Sequence, residues 1–193
     1  KHHTVSSSLS MLEEEKKAIA AQIQHLKILQ KNVDLRLRNI HSALSLPLNE
    51  IRLMNIPARH CHRLPEKYKK EEEMDLLIKQ LINLNQNRLY IIGNNQIGTA
   101  ISLHSLSNQK SLSYQSVFLI DEDGSDCIDG GDYLCVTYRG DYKQSAYWGK
   151  QLIQYAHSHH FTVRGDLLEI LWIDIHTTSD ESEYITQLQL LIE

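Results

Sequence analysis

The first 46 residues contain no glycine or proline, and their apolar residues repeat with the spacing of a coiled-coil helix. Alternating steps of three and four residues define eleven positions, of which only Lys16 and Gln30 are polar. The nine apolar positions, named here the heptad seam, are Leu9, Leu12, Ile19, Ile23, Leu26, Val33, Leu37, Ile40 and Leu44. Pro47 ends the pattern, because proline lacks an amide hydrogen and clashes with a preceding helical turn. At ~1.5 Å per residue the seam predicts a helix about 54 Å long.

A helix of this length needs a surface to cover its apolar stripe, since the stripe is unfavourable in water. Two surfaces remain open from the sequence: the chain's own domain, and the same helix of a second copy. The regular seam favours a two-stranded coiled coil, and hence a homodimer through residues 9–44. Lys16 and Gln30 then help to fix register or strand direction, and both parallel and antiparallel arrangements stay open.

After Pro47 the spacing changes to that of an α+β domain. The first half predicts an extended strand broken by Pro57, a helix from Pro65 and two more strands, at 50–64, 65–82, 98–106 and 113–120. The helix is predicted from Met74, Leu77, Ile78, Leu81 and Ile82, which are apolar at helical spacing. A turn-rich connector with six acids and three glycines follows at 121–132.

The second half repeats this element order, with a strand, a helix and two strands at 133–139, 141–159, 167–175 and 183–192. The predicted architecture is therefore a dimerisation helix, residues 1–46, followed by a duplicated β-α-β-β domain, residues 47–193. Its repeat halves are 47–120 and 132–193. A cleft between two such halves is where a ligand site is expected.

The charge is divided unevenly along the chain. Residues 1–46 have seven Lys or Arg and four acids, net +3, whereas residues 47–193 have thirteen bases and twenty acids, net −7. An acidic domain disfavours binding to nucleic acid phosphates and favours cationic ligands. No run approaches the ~18 apolar residues of a membrane helix, and no apolar signal core follows Lys1. We expect a cytoplasmic protein without membrane contact, and the missing initiator Met suggests a fragment.

The sequence predicts no cofactor and no metal site. Its three cysteines, Cys61, Cys127 and Cys135, lack CxxC spacing and are expected to be reduced thiols. No GxGxxG, P-loop, GxSxG or HExxH motif occurs. The connector departs from the EF-hand order at Ser125 and Asp126, so a solvated loop is favoured. The histidines have no further partner at ligand spacing, notably His60, His62, His157, His159 and His160.

Glu169 is the residue that the pattern singles out, because it interrupts the apolar run Leu167–Ile173. Alternation places it on one strand face with Leu167 and Leu171. A lone carboxylate in a buried strand costs on the order of several kcal/mol unless it is paired or protonated. Two interpretations remain open: an internal ion pair with Arg139 or Arg164, or a carboxylate held for a cationic ligand.

Aromatic residues favour the ligand interpretation. The chain has nine tyrosines but only two phenylalanines. Several tyrosines lie in elements that border the expected cleft, namely Tyr114, Tyr133, Tyr138, Tyr147 and Tyr184. Aromatic faces around a carboxylate form a cage for lipophilic cations, although tyrosine is also common in ordinary strands.

The stretch 131–140, Gly-Asp-Tyr-Leu-Cys-Val-Thr-Tyr-Arg-Gly, resembles the strand and turn of GyrI-like effector-binding domains. Residues 169–186, from Glu169-Ile170 through Thr178-Ser179-Asp180 to Glu183-Tyr184-Ile185-Thr186, resemble the closing strands of that family. A GyrI-like domain behind a long helix is similar to the C-terminal part of MerR-family transcriptional activators. The nearest subgroup is the multidrug-sensing one typified by BmrR and BltR. The resemblance is strongest from Gly131 onward.

The resemblance implies a ligand site for lipophilic cations. Glu169 matches the buried acid of the multidrug sensors, and Tyr114 and Tyr184 match pocket tyrosines. Tyr147 is an approximate match, and Tyr138 lies on the strand of the matching stretch. Ile97 replaces a pocket tyrosine, which puts the range of ligands in question.

The resemblance also implies an antiparallel coiled coil, a homodimer on promoter DNA, and activation of drug-resistance genes by distortion of the spacer DNA. The winged helix-turn-helix of such regulators is not in this chain, where Lys1–Ser8 would be only its trailing edge. We therefore expect this chain to dimerise and bind effector without binding DNA specifically, and expect no enzyme activity. The alternative function is a GyrI-like hydrolase of small molecules that uses carboxylates of the cleft.

Overall fold

The computed structural model describes residues 4–68, 71–84, 96–108 and 112–193. A long helix comes first, and a mixed domain of strands and helices follows it, which confirms the predicted α+β class. The helices are α1 (Val5–Ser45), α2 (Glu71–Leu84), α3 (Leu103–Asn108) and α4 (Gln144–Ser158), and Glu181–Glu183 form a 3₁₀ turn. The strands are β1 (Arg52–Ile56), β2 (Arg59–Leu64), β3 (Ile97–Ile101), β4 (Tyr114–Ile120), β5 (Asp126–Ile128), β6 (Gly131–Arg139), β7 (Val163–Ile173) and β8 (Ile185–Ile192).

Both ends of α1 have a local cause. At its start, Thr4 Oγ1 accepts from the Ser7 amide at 3.2 Å, and Ser7 Oγ accepts from the Thr4 amide at 3.1 Å. This reciprocal capping box satisfies amide groups that have no partner within the helix. At its end, Leu46 is extended, with ψ 135°. The residue before a proline is pushed out of the helical region, so Pro47 ends α1 as the sequence predicts.

The heptad seam lies exposed along α1 in the single chain. Eight of its nine apolar residues are between 48% and 62% exposed. Contact with the domain is made near the helix end, where Ala43 is fully buried against β7 and β8. There Arg36 Nη2 also donates a 2.8 Å hydrogen bond to the His176 carbonyl. Packing on the chain's own domain therefore covers the last turns of α1 and leaves the seam open. No helix among the described residues has the length and apolar content needed to cross a bilayer.

The eight strands form one antiparallel sheet in the order β1-β6-β8-β7-β3-β4-β2-β5. β3 and β7 pair at its centre, with Thr99 opposite Glu169. The order outward from this pair is β7-β8-β6 on one side and β3-β4-β2 on the other. The unit β2-α2-β3-β4 thus corresponds to β6-α4-β7-β8, which confirms the predicted duplication of element order.

The two halves exchange their first strands. β1 precedes β2 in the chain but pairs with β6, where Arg52 lies opposite Cys135. β5 precedes β6 but pairs with β2, where Arg59 lies opposite Ile128. The sequence pattern missed β5, since its three residues lie in the stretch 121–132 that was predicted to be a loop. Each repeat is therefore β-β-α-β-β.

The predictions for three element boundaries, in the first half and in the connector 121–132, were wrong. The strand predicted at 98–106 ends at Ile101, and Leu103–Asn108 form α3. Leu103 and Leu106 are three residues apart, so one helical turn packs both against the main core. The helix predicted from Pro65 begins at Glu71, because Tyr68 forms an isolated bridge with Tyr114. In the connector, β6 already begins at Gly131, two residues before the predicted strand.

The sheet has two buried faces. α2, α3 and α4 cover one face and form the main core with it. The other face has a smaller core around Cys61, Phe118 and Ile170. The sheet curls around this second face, since Arg59 Nη2 on β2 reaches Gln189 Oε1 on β8 at 2.8 Å although three strands lie between them. We call these the helix-covered face and the concave face.

Candidate functional site

Glu169 lies at the middle of β7 on the helix-covered face, with 2% of its surface exposed. Thr99, opposite it on β3, donates a 3.0 Å hydrogen bond from Oγ1 to Glu169 Oε2. Ser145 Oγ, from α4, donates to Glu169 Oε1. A carboxylate can be buried when donors of this kind replace water. The fold therefore holds the carboxylate between two hydroxyl groups, one from the sheet and one from the helix.

Ser145 forms a further hydrogen bond, with Tyr138, and so connects Tyr138 to the carboxylate. Tyr138 Oη and Ser145 Oγ are 2.5 Å apart. The single hydroxyl hydrogen of Ser145 is used on Glu169, so Tyr138 donates to Ser145. Ser145 is also the second residue of α4, which places the positive end of the helix dipole beside the carboxylate. The buried chain Tyr138–Ser145–Glu169 thus crosses from β6 through α4 to β7.

Small residues let α4 lie close to the sheet. Its buried positions are Ser145, Gly149, Leu152 and Ala156, at helical spacing. A Cβ at Gly149 would lie 2.9 Å from side-chain atoms of Leu106 and Leu167. Since contacts that short would force these side chains to move, glycine at this position allows the close approach that brings Ser145 to Glu169.

Two stacked pairs of tyrosines lie on the same face. The rings of Tyr68 and Tyr114 are 4.7 Å apart and nearly parallel, at 4°. The rings of Tyr142 and Tyr184 are 5.2 Å apart at 27°. All four belong to the main core that Tyr138 also joins. The site therefore combines a buried carboxylate with five buried tyrosine rings.

The tyrosines and Glu169 are close enough to affect one another's charge. Burial raises the pKa of Tyr68 and Tyr138 well above the ordinary phenol value, and the negative charge of Glu169 raises both further. Burial likewise raises the pKa of Tyr142, to which the charges of Asp174 and then Glu169 add. The phenols are therefore neutral at physiological pH. Neutral aromatic faces beside a carboxylate attract a cation and solvate its apolar groups.

The structure brings most of the predicted site residues together. The main core on the helix-covered face contains four of them, Tyr114, Tyr138, Tyr184 and Ile97. Glu169 is buried on the same face. Tyr147 lies elsewhere: it is 58% exposed on α4, and its ring meets that of Trp148 edge-on at 5.1 Å.

Tyr133, a further tyrosine that the sequence placed near the cleft, lies on the concave face. Its Oη donates a 2.5 Å hydrogen bond to the Asp129 carbonyl.

Four residues of the site were missed from the sequence. Thr99 and Ser145 carry no sequence signal of their own, because small hydroxyl residues occur throughout the chain. Tyr142 was assigned to the start of a helix, and Tyr68 to a helix that in fact begins later. Their burial follows from the stacking on Tyr184 and Tyr114, which depends on the assembled sheet.

The arginines proposed as ion-pair partners for Glu169 lie elsewhere. Arg164 Nη2 pairs with Glu193 Oε2 at 2.6 Å, and Arg139 is exposed at the end of β6. In the part of the chain that the structure describes, no three His, Cys, Asp or Glu side chains are grouped as metal ligands would be. All three cysteines are free thiols.

Comparison of the sequence with protein-family models and with curated proteins gives no match. Among solved structures, the chain is similar to EcmrR in the cryo-EM structure of the EcmrR–DNA complex in EcmrR-RPo. The TM-score is 0.62 at 15% identity, covering 99% of this chain and 78% of that chain. The crystal structure of the EcmrR C-terminal domain gives 0.58 at 15% identity, covering 75% and 97%. An uncharacterized conserved protein from Listeria innocua gives 0.50 at 10% identity, covering 79% and 96%.

At these identities the similarity establishes the fold. The longer EcmrR chain matches nearly all of this chain, whereas the isolated C-terminal domain matches three quarters of it. The difference is about the length of α1, so the long helix also has a counterpart in EcmrR. This chain therefore has the fold of the EcmrR C-terminal domain, preceded by a comparable long helix.

Proposed function

We propose that this chain is the effector-sensing and dimerisation portion of a MerR-type bacterial transcriptional regulator. EcmrR, whose fold it shares, is a MerR-family regulator and is bound to DNA in its complex. The observation that carries the proposal is the Glu169 carboxylate, buried among tyrosine rings in the domain that follows a long helix. A sensor needs such a site for a small molecule and a second element that transmits the binding event.

The effector of this proposal is a lipophilic cation. Glu169 supplies the opposite charge. Its negative charge contributes to the raised pKa of Tyr68, Tyr138 and Tyr142, so these rings lie near it. Neutral phenol rings remove the apolar groups of a cation from water and direct their electron-rich faces to it. The acidic domain, net −7 over residues 47–193, also raises the local concentration of cations. The regulated genes in this proposal are drug-resistance genes.

Dimerisation is assigned to the heptad seam, residues 9–44, which the single chain leaves exposed. DNA binding is assigned to a helix-turn-helix domain outside the residues of this chain. Near its end α1 packs through Ala43 on β7, the strand that carries Glu169, and Arg36 donates to the His176 carbonyl just beyond that strand. A change at the ligand site therefore has a direct path of contacts to the dimer helix.

The test is a titration of wild-type protein and Glu169→Gln with tetraphenylphosphonium, followed by tryptophan fluorescence. Trp148 on α4 and Trp172 on β7 are the reporters. Glutamine keeps the size of the side chain and removes its charge. We expect the substitution to weaken binding on the order of tenfold or more, as loss of a buried charge interaction does.

Two controls accompany this titration. Glu50→Gln removes an exposed carboxylate that pairs with Arg52, and this variant should bind the cation as wild type does. Triphenylphosphine oxide, a neutral compound of similar shape, should bind weakly to all three proteins. Equal affinity of wild type and Glu169→Gln for the cation would contradict the assigned role.

The alternative function is hydrolysis of a small molecule, since a buried carboxylate bonded to Ser145 is also a possible acid–base group. Recovery of the bound compound decides between the two functions. A sensor returns its ligand chemically unchanged after prolonged incubation, whereas a hydrolase returns a product that mass spectrometry detects. Product that forms with wild type and not with Glu169→Gln would replace the sensor proposal.

A further inference from the structure

The concave face contains a cavity, on the opposite side of the sheet from Glu169. Its volume is about 220 Å³. Six strands contribute to its wall, because the sheet curls around it: Arg63 from β2, Ala100 from β3, Ile128 from β5, Tyr133 from β6, Leu168 from β7 and Leu191 from β8. A cleft that is open to solvent and lined by both halves is a place where small ligands bind in duplicated folds.

Buried hydrogen-bond donors on this face lack partners. Among the described residues, Arg59 Nε and Arg63 Nε are buried without a hydrogen-bond partner, and so is Ser116 Oγ. Ser116 lies opposite Ala100, which lines the cavity, so the two side chains share a face. Buried donors without partners are rare in folded proteins, since each costs about 1–3 kcal/mol. Three of them on one face indicate a site for a group that accepts hydrogen bonds.

Arg63 acts electrostatically on Asp166 at the rim of the cavity, where burial raises the pKa of the carboxyl group and the positive charge of Arg63 opposes that rise. In the described part of the chain, neither Arg59 nor Arg63 forms an ion pair, whereas Arg52 and Arg164 both do. Instead, the Arg59 guanidinium lies 6.0 Å from the centre of the Tyr133 ring, and the Arg63 guanidinium 5.7 Å from that of Phe118. Aromatic contacts fix the position of a guanidinium without neutralising its charge.

Arg59 is held in place by a chain of amide groups. Its Nη2 donates to Gln189 Oε1 at 2.8 Å, and Gln189 Nε2 donates to Gln187 Oε1 at 2.7 Å. Gln187 Nε2 then donates to Thr137 Oγ1 at 3.1 Å. Every bond in this chain runs in the same direction, away from the arginine. Arg59 is thereby fixed on the concave face and adds positive potential there, while Arg63 lines the cavity.

We propose that the cavity beside Arg63 binds a small carboxylate with an apolar body. The carboxylate accepts hydrogen bonds from Arg63, and the apolar body packs against Ile128, Leu168 and Leu191. A volume of about 220 Å³ equals roughly seven water molecules at ~30 Å³ each, which suits a single-ring compound. Asp129 and Asp166 are exposed at the rim and repel ligands of higher negative charge. This inference goes beyond the proposed cation site and does not depend on it.

The test uses benzoate as the probe and benzamide as its uncharged counterpart. Protein labelled with ¹⁵N is titrated with each compound, and the arginine Nε–H signals are followed by NMR. We expect benzoate to shift the Arg63 Nε–H signal and benzamide to leave it unchanged. Arg63→Gln should weaken benzoate binding on the order of ten- to a hundredfold, the usual effect of losing a charged hydrogen bond. Arg52→Gln, which alters an exposed arginine that pairs with Glu50, should bind as wild type does.

A second variant tests the same site independently, in case Arg63→Gln does not fold. Leu168→Phe keeps the arginines and fills part of the cavity, so it should also weaken benzoate binding. Tetraphenylphosphonium binding by Arg63→Gln should equal that of wild type, which separates this site from the one at Glu169. The proposal is overturned if benzamide binds as well as benzoate, if Arg63→Gln retains full affinity, or if millimolar benzoate leaves the Arg63 signal unmoved.

Discussion

At the scale of single residues, the helix-covered face is organised by hydroxyl groups that donate hydrogen bonds to one carboxylate, directly or through Ser145. Glu169 accepts from Thr99 and Ser145, and Tyr138 donates to Ser145 in turn. Alternation along β7 was enough to single out Glu169, because a charged residue in an apolar strand is conspicuous. The donors were not predicted, since Thr99 and Ser145 are far from Glu169 in sequence and meet it only across the folded sheet.

The buried phenols predict how stability depends on alkaline pH. Burial and Glu169 raise the pKa of Tyr138 above that of an exposed phenol, about 10. Such a group stabilises the native state fully below about pH 10. Above that pH the phenol ionises in the unfolded chain but stays neutral in the native state. Its contribution to the free energy of unfolding therefore falls by up to ~1.4 kcal/mol per pH unit for each phenol. We expect urea unfolding of Tyr138→Phe to show a shallower loss of stability between pH 10 and 11 than wild type; equal slopes would contradict this.

At the scale of secondary-structure elements, a long helix was predicted within residues 1–46, and α1 spans Val5–Ser45. The lack of glycine and the proline after the helix are local signals that predicted it, whereas the capping box of Thr4 and Ser7 was not predicted. The shorter elements were predicted less well. The strand predicted at 98–106 is half α3, and β5 lies in a predicted loop. Three-residue strands and single-turn helices have too few residues for a period, so their conformation depends on neighbours in the sheet.

The exposed heptad seam predicts the association of α1. Ile23→Glu places a charge in the seam, where two copies would bury it, and should convert a dimer to a monomer in sedimentation velocity at micromolar concentration. Gln24→Glu adds the same charge at an exposed position outside the seam and should leave the dimer intact. A wild-type chain that sediments as a monomer, or an Ile23→Glu variant that stays dimeric, would exclude the seam as the dimer interface.

At the scale of the whole molecule, the exchange of first strands ties the two halves together. β1 pairs with β6 along five residue positions, and β5 pairs with β2 along three. β3 and β7 then join the halves at the centre of the sheet. The duplicated order was visible in the sequence, whereas the exchange was not, because strand pairing between halves leaves no local pattern.

This exchange predicts that neither half folds alone. Fragments 1–124 and 125–193, separated at the turn before β5, should each lack cooperative unfolding, and a one-to-one mixture should regain it, as followed by circular dichroism. In each fragment three strands lose a pairing partner, because the β1–β6, β2–β5 and β3–β7 pairs all join the two fragments, and this leaves edges and core surface in water. Residues 47–193 without α1 serve as the control and should stay folded. Independent cooperative folding of either fragment would show that the exchange is dispensable.

The sequence by itself determined the long helix, the α+β class, the duplicated order and the one carboxylate in an apolar strand. Each of these follows from spacing along the chain, which backbone geometry converts directly into faces and ends. Only the tertiary structure decided which tyrosines surround Glu169, which hydroxyls hold it, and that the sheet curls around Arg59 and Arg63. These features depend on strand pairing between distant residues, whose energies arise only when the two halves are assembled.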